Sequence, residues 1–167
     1  MNRDRKIQHA DFITAYDELG DPLFRHSFFR VSNREVAIDM VQDTFIKTWQ
    51  HIERGEEIQN LKAYLYHVMN NLIIDYYRKS KSGSLEVLLD EGFNPVDESV
   101  DIEESAEVSL VVSSLDGLPD EDKKIIVLRH IDGHSISEIA EMLEETENVV
   151  SVRLHRAIKK LKKIINP

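Results

Sequence analysis

The basic stretch VVSVRLHRAIKKLKKII, residues 149–165, is the first part of the sequence whose side chains could do chemistry. It carries six Lys or Arg residues and no Asp or Glu. Its apolar residues recur at steps of three and four, which predicts a helix whose remaining faces are basic. Such a helix could bind the phosphates of nucleic acid. The alternative is that bases near a helix C-terminus only complement the helix dipole, by about 0.3–1 kcal/mol each. Six bases without an acid exceed that need, so we favour nucleic acid.

The segment LKAYLYHVMNNLIIDYYRKSK, residues 61–81, is the second candidate because it interleaves aromatic residues with amides and bases. Side chains in this pattern suit unstacked nucleic-acid bases. Five residues at helical spacing could fill a core: Leu61, Leu65, Val68, Leu72 and Tyr76. Composition alone favours the plainer interpretation, a tyrosine-rich core helix with a solvated basic end.

Three residues spaced four apart, His130, His134 and Glu138, look like a set of metal ligands. Gly133 interrupts the helix between them, which argues against a shared metal. The sequence also holds no Cys, no glycine-rich phosphate loop and no nucleophile motif. We therefore predict that the chain is not an enzyme and takes no cofactor, metal or small-molecule substrate.

The formal net charge of −10 is unevenly distributed along the 167 residues. Residues 1–80 sum to −1, residues 81–117 to −9 and residues 118–167 to zero. The acidic middle contains Gly, Ser and Pro without sustained apolar periodicity, which is typical of a linker. The basic stretch is therefore locally positive, and we predict two modules joined by a tether.

The overall composition indicates a cytoplasmic globular protein. Hydrophobic residues make up 41% of the chain, enough to build cores in two small domains. No apolar run reaches the roughly 18 residues that a membrane span needs. The first residues lack the apolar region of a signal peptide. We therefore expect no membrane insertion.

The first module is predicted to be all-helical, because its periodic segments have the helical period. Its helices are expected at about 8–19, about 21–31, about 34–52 and about 61–80. Pro22 stands at a tolerated first-turn position, and Asn33 and Asn60 are expected to cap the last two helices. The third helix has one core stripe, formed by Val36, Met40, Val41, Thr44, Phe45, Thr48 and Ile52.

The second module is predicted to contain a helix-turn-helix. One helix is expected near 103–116, stopped by Gly117, and the next begins at 119–122 and ends at Gly133. A capping-box spacing of Ser and Glu then starts a short helix, ISEIAEML. Thr146 is expected to cap the basic helix. The core stripe of that helix is Val150, Leu154, Ala157, Ile158, Leu161 and Ile165.

Two blocks of the sequence resemble the extracytoplasmic-function (ECF, group IV) sigma factors of bacterial RNA polymerase. DMVQDTFIKTWQHI followed by NLKAYLYHVMNNLIIDYYRK resembles region 2 of the sigma-70 family, and LPDEDKKIIVLRHIDGHSISEIAEML with VRLHRAIKKL resembles region 4. The resemblance implies an all-α fold of two small helical domains, residues 1–82 and 103–167, joined by a flexible acidic linker, residues 83–102. It implies a factor that binds polymerase core and directs promoter-specific initiation, with region 2 opening the −10 element and region 4 reading the −35 element.

In the first domain the resemblance assigns roles residue by residue. The residues that match the segment docking on the polymerase β′ clamp helices are Asp39, Gln42, Asp43, Phe45, Lys47 and Trp49. The residues implied in −10 DNA binding are Tyr64, His67, Asn70, Asn71, Tyr77, Arg78 and Lys79, and Asp75 matches the same region. The loop Glu53–Asn60 aligns with the family's specificity loop, which receives a flipped base. Tyr64 replaces a family Trp and Asn70 a family Arg, which reduces the phosphate contacts expected there.

In the second domain the resemblance places the helix from Glu147 in the major groove of the −35 element. The residues implied in this contact are Thr146, Asn148, Val149, Ser151, Val152, Arg153, His155, Arg156, Lys159 and Lys160. The sequence departs from the family at the turn, where the usual Gly is replaced around Glu144 and Glu145. At the helix start, Asn148–Val149 replaces a Gly-Thr pair and Ser151–Val152 a Lys-Ser pair. Asn148 could meet an adenine edge and either valine a thymine methyl, so we expect an atypical or weakly bound −35 sequence.

The resemblance also implies partners. These are RNA polymerase core, through its β′ clamp helices and β flap, promoter DNA, and an anti-sigma factor. In holoenzyme the protein would be associated with the nucleoid. The acidic linker has two interpretations, a mimic of RNA in the polymerase channel or a merely soluble tether, and the sequence does not separate them.

Two other classes of function stay open at this point. One is a stand-alone helix-turn-helix regulator of a duplex operator, which would leave the Asp39 and Asp43 face unexplained. The other is a degenerate sigma-like protein that binds polymerase or an anti-sigma partner without initiating. The replaced basic residues and the acidic total keep this second class open.

Overall fold

The structure is a computed structural model that describes residues 3–87 and 106–167, with side chains described for 9–81 and 106–167. Every regular element within these ranges is helical, which confirms the predicted all-α fold. The helices are α1 (Arg3–Val31), α2 (Arg34–Glu53), α3 (Leu61–Val87), α4 (Ala106–Asp116), α5 (Asp120–Ile126), α6 (Ile136–Leu143) and α7 (Glu147–Ile165). A π-helical turn, Val127–Ile131, continues α5. None of the described helices is long and apolar enough to cross a membrane.

The predicted linker falls mostly outside the described residues. Its first five residues, 83–87, continue α3, so the helix runs further than the pattern of apolar residues indicated. Residues 88–102 lie outside the described ranges, and the two interpretations of the acidic segment stay predictions.

Helix α1 is continuous, and the prediction of two helices that meet near residue 20 is wrong. Pro22 lies inside α1, where it cannot donate to the carbonyl four residues earlier. Gly20 nevertheless does not adopt a positive φ. Ala15 and Leu23, on either side, are buried in the same core, so packing along the helix outweighs the missing hydrogen bond.

Helices α2 and α3 begin where their capping residues predict. The side-chain oxygen of Asn33 accepts a hydrogen bond from the Val36 amide at 3.1 Å, and that of Asn60 from the Ala63 amide at 3.0 Å. Within the predicted stripe of α2 the buried residues are Met40, Thr44, Phe45, Thr48 and Ile52. Local capping and helical periodicity therefore fixed this part of the fold.

The second domain contains the predicted helix-turn-helix, α6 followed by α7. The Ser135 hydroxyl accepts from the Glu138 amide at 3.1 Å, while the Glu138 carboxylate accepts from the Ser135 amide at 2.8 Å. Thr146 caps α7 by accepting from the Val149 amide at 3.3 Å. Gly133 ends the preceding helix with a φ of +77°. All three local signals are confirmed.

The core stripe of α7 is confirmed except at its end. Val150 and Ala157 are buried, and Leu154 and Leu161 are half-buried. Ile165 is 54% exposed, so its assignment to the core is wrong. The last turn borders an open apolar groove shared with α4 instead of entering the core.

The two domains pack directly against each other along a seam, which is formed by α1 and α3 on one side and by α5, the π-helical turn and α6 on the other. The local sequence patterns did not predict that the two domains would be in contact. Residues of α3 outside the apolar stripe are also buried, Tyr66 and Asn70 among them. Tyr66 meets the His134 ring of the second domain with the ring centroids 4.7 Å apart.

Candidate nucleic-acid interface

The start of α7 presents uncharged side chains to solvent. Val149 and Val152 are 38% and 42% exposed, and Asn148 and Ser151 are exposed beside them. Thr146 uses its hydroxyl to cap the helix. The surface therefore combines one amide, which can bond an adenine edge in two places, with two aliphatic groups that can meet thymine methyls.

The predicted phosphate-binding residues of α7 are exposed along the helix. They are Arg153, His155, Arg156, Lys159 and Lys160. Arg153 pairs with Glu145 at 2.6 Å and Lys160 with Asp122 at 2.5 Å. Surface ion pairs of this kind contribute about 0–1 kcal/mol. DNA phosphates could therefore replace Glu145 and Asp122 as the partners of these two bases with little loss of free energy.

The turn between α6 and α7 contains a left-handed backbone conformation that is typical of glycine, although the residue there is not glycine. Glu144 adopts φ 55° and ψ 40°, in the left-handed region, and ends α6. Its amide donates to the carbonyls of Ala140 and Glu141. This is the position around which the sequence departs from the family's usual Gly, and its φ is one that Gly adopts at no steric cost. A side chain in this conformation is strained.

The outward face of α3 forms a pocket of about 320 Å³ with the end of α2. It is lined by Lys47, Gln50, His51, Arg54, Tyr64, Val68, Asn71, Leu72 and Asp75. The Tyr64 ring packs against His51 with centroids 4.8 Å apart. Burial, and then the nearby Glu56 carboxylate, raise the pKa of the Tyr64 hydroxyl. Aromatic, amide and basic groups meet here, which are the groups that hold a single unstacked base.

Four other predicted −10 residues lie near this pocket or further along α3. The Asn71 amide is 3.2 Å from the His67 ring nitrogen. Arg78 is exposed and pairs with Asp75 at 2.7 Å, and Lys79 is exposed one residue later. The basic end of α3 is therefore open to a phosphate backbone.

Asn70 does not reach this surface in the isolated chain, and its role as a DNA contact stays a prediction. It is 5% exposed. Its side-chain oxygen accepts from Arg30 at 3.0 Å and lies 3.2 Å from the His26 ring. Tyr77 is half-buried, because its hydroxyl donates to the Arg30 carbonyl, and burial raises its pKa to about 12. Both side chains therefore bond to α1 of the same domain.

The predicted polymerase-docking face lies on the outer side of α2. Its exposed members are Asp39, Gln42, Asp43, Lys47 and Trp49. Phe45 is only 3% exposed, so its assignment to a docking contact is wrong. It points into the core, where its ring meets Phe12 and Tyr16 at centroid distances of 5.8 and 4.8 Å. Trp49 packs one face on His9 and remains 37% exposed.

The three residues that looked like metal ligands have other roles. Among the described residues no three His, Asp or Glu are grouped so that they could hold a metal ion. Glu138 caps α6 and pairs with Lys62 at 3.0 Å, and hydrogen bonds, first that from the Ser135 backbone, lower its pKa to about 2. Burial lowers the pKa of His134, and His130 is exposed.

Sequence reasoning missed the polar residues of the seam. Arg30 is fully buried and binds Asp120 through two guanidinium nitrogens, at 3.1 and 2.8 Å. His26 is fully buried and lies 2.8 Å from Asp132. The sequence holds one indication of these buried residues. In the largely apolar stretch LFRHSFFRV, residues 23–31, His26 and Arg30 stand four apart. Buried bases of this kind require partners from another element.

Comparison with known proteins agrees with the two domains. Residues 15–83 match the family described as Sigma-70 region 2, and residues 110–161 match Sigma-70, region 4. ECF RNA polymerase sigma factor SigW of Bacillus subtilis (strain 168) is 30% identical over 165 residues, covering 92% of this chain and 87% of SigW. RNA polymerase sigma factor SigV of the same strain is 28% identical over 155 residues, covering 93% and 91%.

Two solved structures share the fold. The sigma factor RpoE, crystallised with the anti-sigma factor NepR from Bartonella quintana, has a TM-score of 0.70 at 24% identity, covering 93% of this chain and 96% of that one. CnrH, solved with the cytosolic domain of CnrY, has a TM-score of 0.72 at 22% identity, covering 98% and 93%.

The fold and its two matched regions define a sigma factor of the sigma-70 type. A relative described as an ECF RNA polymerase sigma factor matches along nearly the whole chain. The chain belongs to the ECF RNA polymerase sigma factors. The resemblance is confirmed, and with it the function in promoter-specific transcription initiation.

Proposed function

We propose that this sigma factor divides promoter recognition between α7, which reads the −35 element, and the pocket of α3 and the preceding loop, which holds a base of the −10 element. The observation that carries the proposal is the presence, in one chain, of an uncharged exposed helix start and a pocket lined by aromatic and basic side chains. The first suits the edges of a duplex, and the second suits an unstacked base.

At the −35 element, the first turns of α7 supply the sequence-specific contacts. Asn148 bonds an adenine edge, and Val149 and Val152 meet thymine methyls. The exposed bases that follow, Arg153 and Arg156 among them, contact phosphates and set the register of the helix. Specificity then comes from contacts of modest strength, and polymerase supplies much of the affinity.

At the −10 element, Tyr64 stacks on the flipped base and Asn71 bonds its edge. The pocket volume and the packing of Tyr64 on His51 support this assignment. Extruding a base costs a few kcal/mol, so a pocket that returns this only for one base is selective. Arg78 and Lys79 then hold the single-strand backbone.

Polymerase core binds the outer face of α2. Asp39 and Asp43 are one helical turn apart and exposed, so both carboxylates can pair with bases on the β′ clamp helices. Trp49 adds a partly exposed aromatic surface. The second domain contacts the β flap.

The remaining assignments follow the family. Residues 1–82 and 103–167 act as the two functional domains, with the acidic linker between them. An anti-sigma factor holds the chain inactive. The two similar structures support this part of the proposal, since one is a complex with NepR, an anti-sigma factor, and the other a complex with the cytosolic domain of CnrY. The protein acts in the cytoplasm and on the nucleoid when in holoenzyme.

Transcription with purified components tests the function. The chain is mixed with core RNA polymerase and promoter fragments, and both core binding and defined transcripts are measured. Defined transcripts support the proposal. Core binding without transcripts favours the degenerate sigma-like class, and duplex binding without core binding favours the stand-alone regulator.

Reversing one charge on α2 tests the docking face. Asp43→Arg should weaken core binding by about tenfold or more, because one carboxylate that pairs with the clamp helices becomes a like charge. Asp17→Arg, an equal change at an exposed position of α1, is the matched control. Circular dichroism should show both variants folded. Equal core affinity for Asp43→Arg and the unchanged protein would exclude this face.

A further inference from the structure

The second domain carries an open apolar groove between α4 and α7, here called the α4–α7 groove, to which the function proposed above assigns no role. Its volume is about 620 Å³. Its apolar walls are formed by Leu110, Val111 and Leu115 of α4 and by Leu161, Ile164 and Ile165 of α7. Leu110 and Ile165 are 67% and 54% exposed, and Val111 and Ile164 are exposed beside them. Large apolar side chains gathered at one place on a surface mark a site of contact with another molecule.

The groove is shaped by contacts within the second domain. Gly117, between α4 and α5, lets α7 come close, because a Cβ atom at this position would lie 3.2 Å from the Cδ1 atom of Ile164. The hydroxyls of Ser113 and Ser114 donate to the Leu110 carbonyl at 3.0 and 2.8 Å, so both donors are already matched. The groove therefore offers an apolar surface to a partner.

The two walls of the groove carry opposite charges. The charged residues of α4 are all acids, and one of them, Glu107, lies one turn before Leu110. The charged residues in the last two turns of α7 are all bases, and Lys162 and Lys163 directly precede Ile164. Glu107, Lys162 and Lys163 are exposed, and within the described part of the chain they form no ion pair. All three charges are therefore available to a partner.

This distribution of charge determines which partner fits the groove. The partner must present apolar side chains at its centre, bases toward α4 and acids toward α7. A helix that carries one sign of charge would be repelled by one of the two walls. The same face of a second copy meets the requirement, because a two-fold axis along the groove places α7 of one copy over α4 of the other. The face is thus complementary to itself.

We propose that the α4–α7 groove is a homodimer interface, in which the exposed apolar side chains at the end of α7 in each copy pack on α4 of the other. The contact is small, so the dimer should be weak, with a Kd of about 10–100 µM. Asn148 lies at the opposite end of α7, about 25 Å away along the helix, so the start of α7 stays exposed in the dimer. The proposal requires none of the DNA or polymerase contacts described above.

Sedimentation equilibrium of the full chain tests the proposal. The mean mass is measured from about 1 µM to about 300 µM, without polymerase or DNA, and it should rise from that of one chain toward that of two. Ile165→Glu should raise the Kd by about tenfold or more, because it removes an apolar contact and places a carboxylate over the acidic α4. Ile13→Glu, the same change at an exposed position of α1, is the matched control and should leave the Kd unchanged.

Charge reversal separates this interface from unspecific apolar association. Glu107→Lys should weaken the dimer, because a base would then face the bases of α7 in the other copy. Lys162→Glu combined with Lys163→Glu should weaken it for the corresponding reason. The triple variant, in which these charges on both walls are reversed, should return to a Kd within about threefold of the unchanged chain. Added salt should weaken the association of the unchanged chain.

The proposal is overturned by a chain that stays monomeric up to about 300 µM, by equal association of Ile165→Glu and the unchanged chain, or by a triple variant that associates no better than its parents. Each of these results would leave the groove to another part of the same chain or to a different protein. Circular dichroism shows that each variant is folded. A monomeric chain that initiates normally would reject only this inference, and a dimer that directs no transcripts would reject only the function proposed above.

Discussion

The two helices proposed to contact DNA are held very differently in the same chain. The start of α7 is open, with Asn148 and Val152 exposed and only surface ion pairs further along. The corresponding face of α3 is divided, because Tyr64 lines an open pocket while Asn70 is buried beside Arg30. The start of α7 is thus exposed in the isolated chain, whereas part of the predicted −10 surface of α3 is buried.

The two helices therefore differ in the kind of contact that restrains them. An exposed pair such as Arg153 with Glu145 is weak, so it hardly restrains α7. A fully buried guanidinium such as that of Arg30 is costly to separate from its carboxylate partner. The strongest test of this difference is to remove the ion pair of Arg30 with Asp120 and to measure hydrogen exchange in α3 and in α7.

Arg30→Met is expected to have the largest effect. The change keeps the apolar stem of the side chain and leaves Asp120 without its cation. This should destabilise the contact between the domains by about 3 kcal/mol. Amides of α3 near Asn70 should then exchange their hydrogens about 100-fold faster, and those of α7 should not change. Arg25→Met, an exposed position of the same helix, is the control.

The double variant Arg30→Met with Asp120→Leu sharpens this test. An apolar pair of similar volume can replace a buried ion pair with little loss, so protection of α3 should return. Unchanged exchange in Arg30→Met, or equally fast exchange in α7, would remove the distinction between the two helices.

The parts of the fold that sequence predicts well are those decided within one turn of helix. Asn33, Asn60, Ser135 and Thr146 cap helices as predicted, because the donor and acceptor are three residues apart. The continuity of α1 could not be predicted from contacts within one turn of helix. Whether Pro22 breaks the helix depends on what its two flanks pack against, and those contacts come from other helices.

The residues of the candidate site were predicted from the sequence, but the burial of their side chains was predicted only in part. Periodicity placed Asp39 and Asp43 on the outer face of α2 and Phe45 in its core stripe, whereas the resemblance assigned Phe45 to the docking segment although its ring points into the core. A resemblance conveys which positions matter, while the rotation of each side chain depends on the tertiary contacts of this chain. The buried Asn70 bonds to His26 and Arg30, which are 44 and 40 positions away on α1, and no local pattern contains such contacts.

Asn148→Ala is expected to have an intermediate effect, confined to α7. If Asn148 bonds an adenine edge, its loss should cost about 1–3 kcal/mol at one base pair of the −35 element and little at the others. Lys159→Ala should instead weaken binding to all promoters alike and reduce the salt dependence by about one counterion. Holoenzyme binding to promoters with single −35 substitutions measures both. Equal losses at every base pair for Asn148→Ala would exclude a specific contact.

Glu144→Gly is expected to have the smallest effect, in the turn that supports α7. Relief of the left-handed backbone should stabilise the second domain, and the greater freedom of Gly in the unfolded chain offsets part of the gain. The net increase in the free energy of unfolding should be about 0.5–1 kcal/mol, measured by thermal unfolding. Glu144→Ala is the matched control, because it removes the same charge from the C-terminal end of α6 but keeps a Cβ. An equal gain in the Ala variant would assign the effect to the helix dipole, and Glu144 would then be an unfavourable charge and not a strained backbone position.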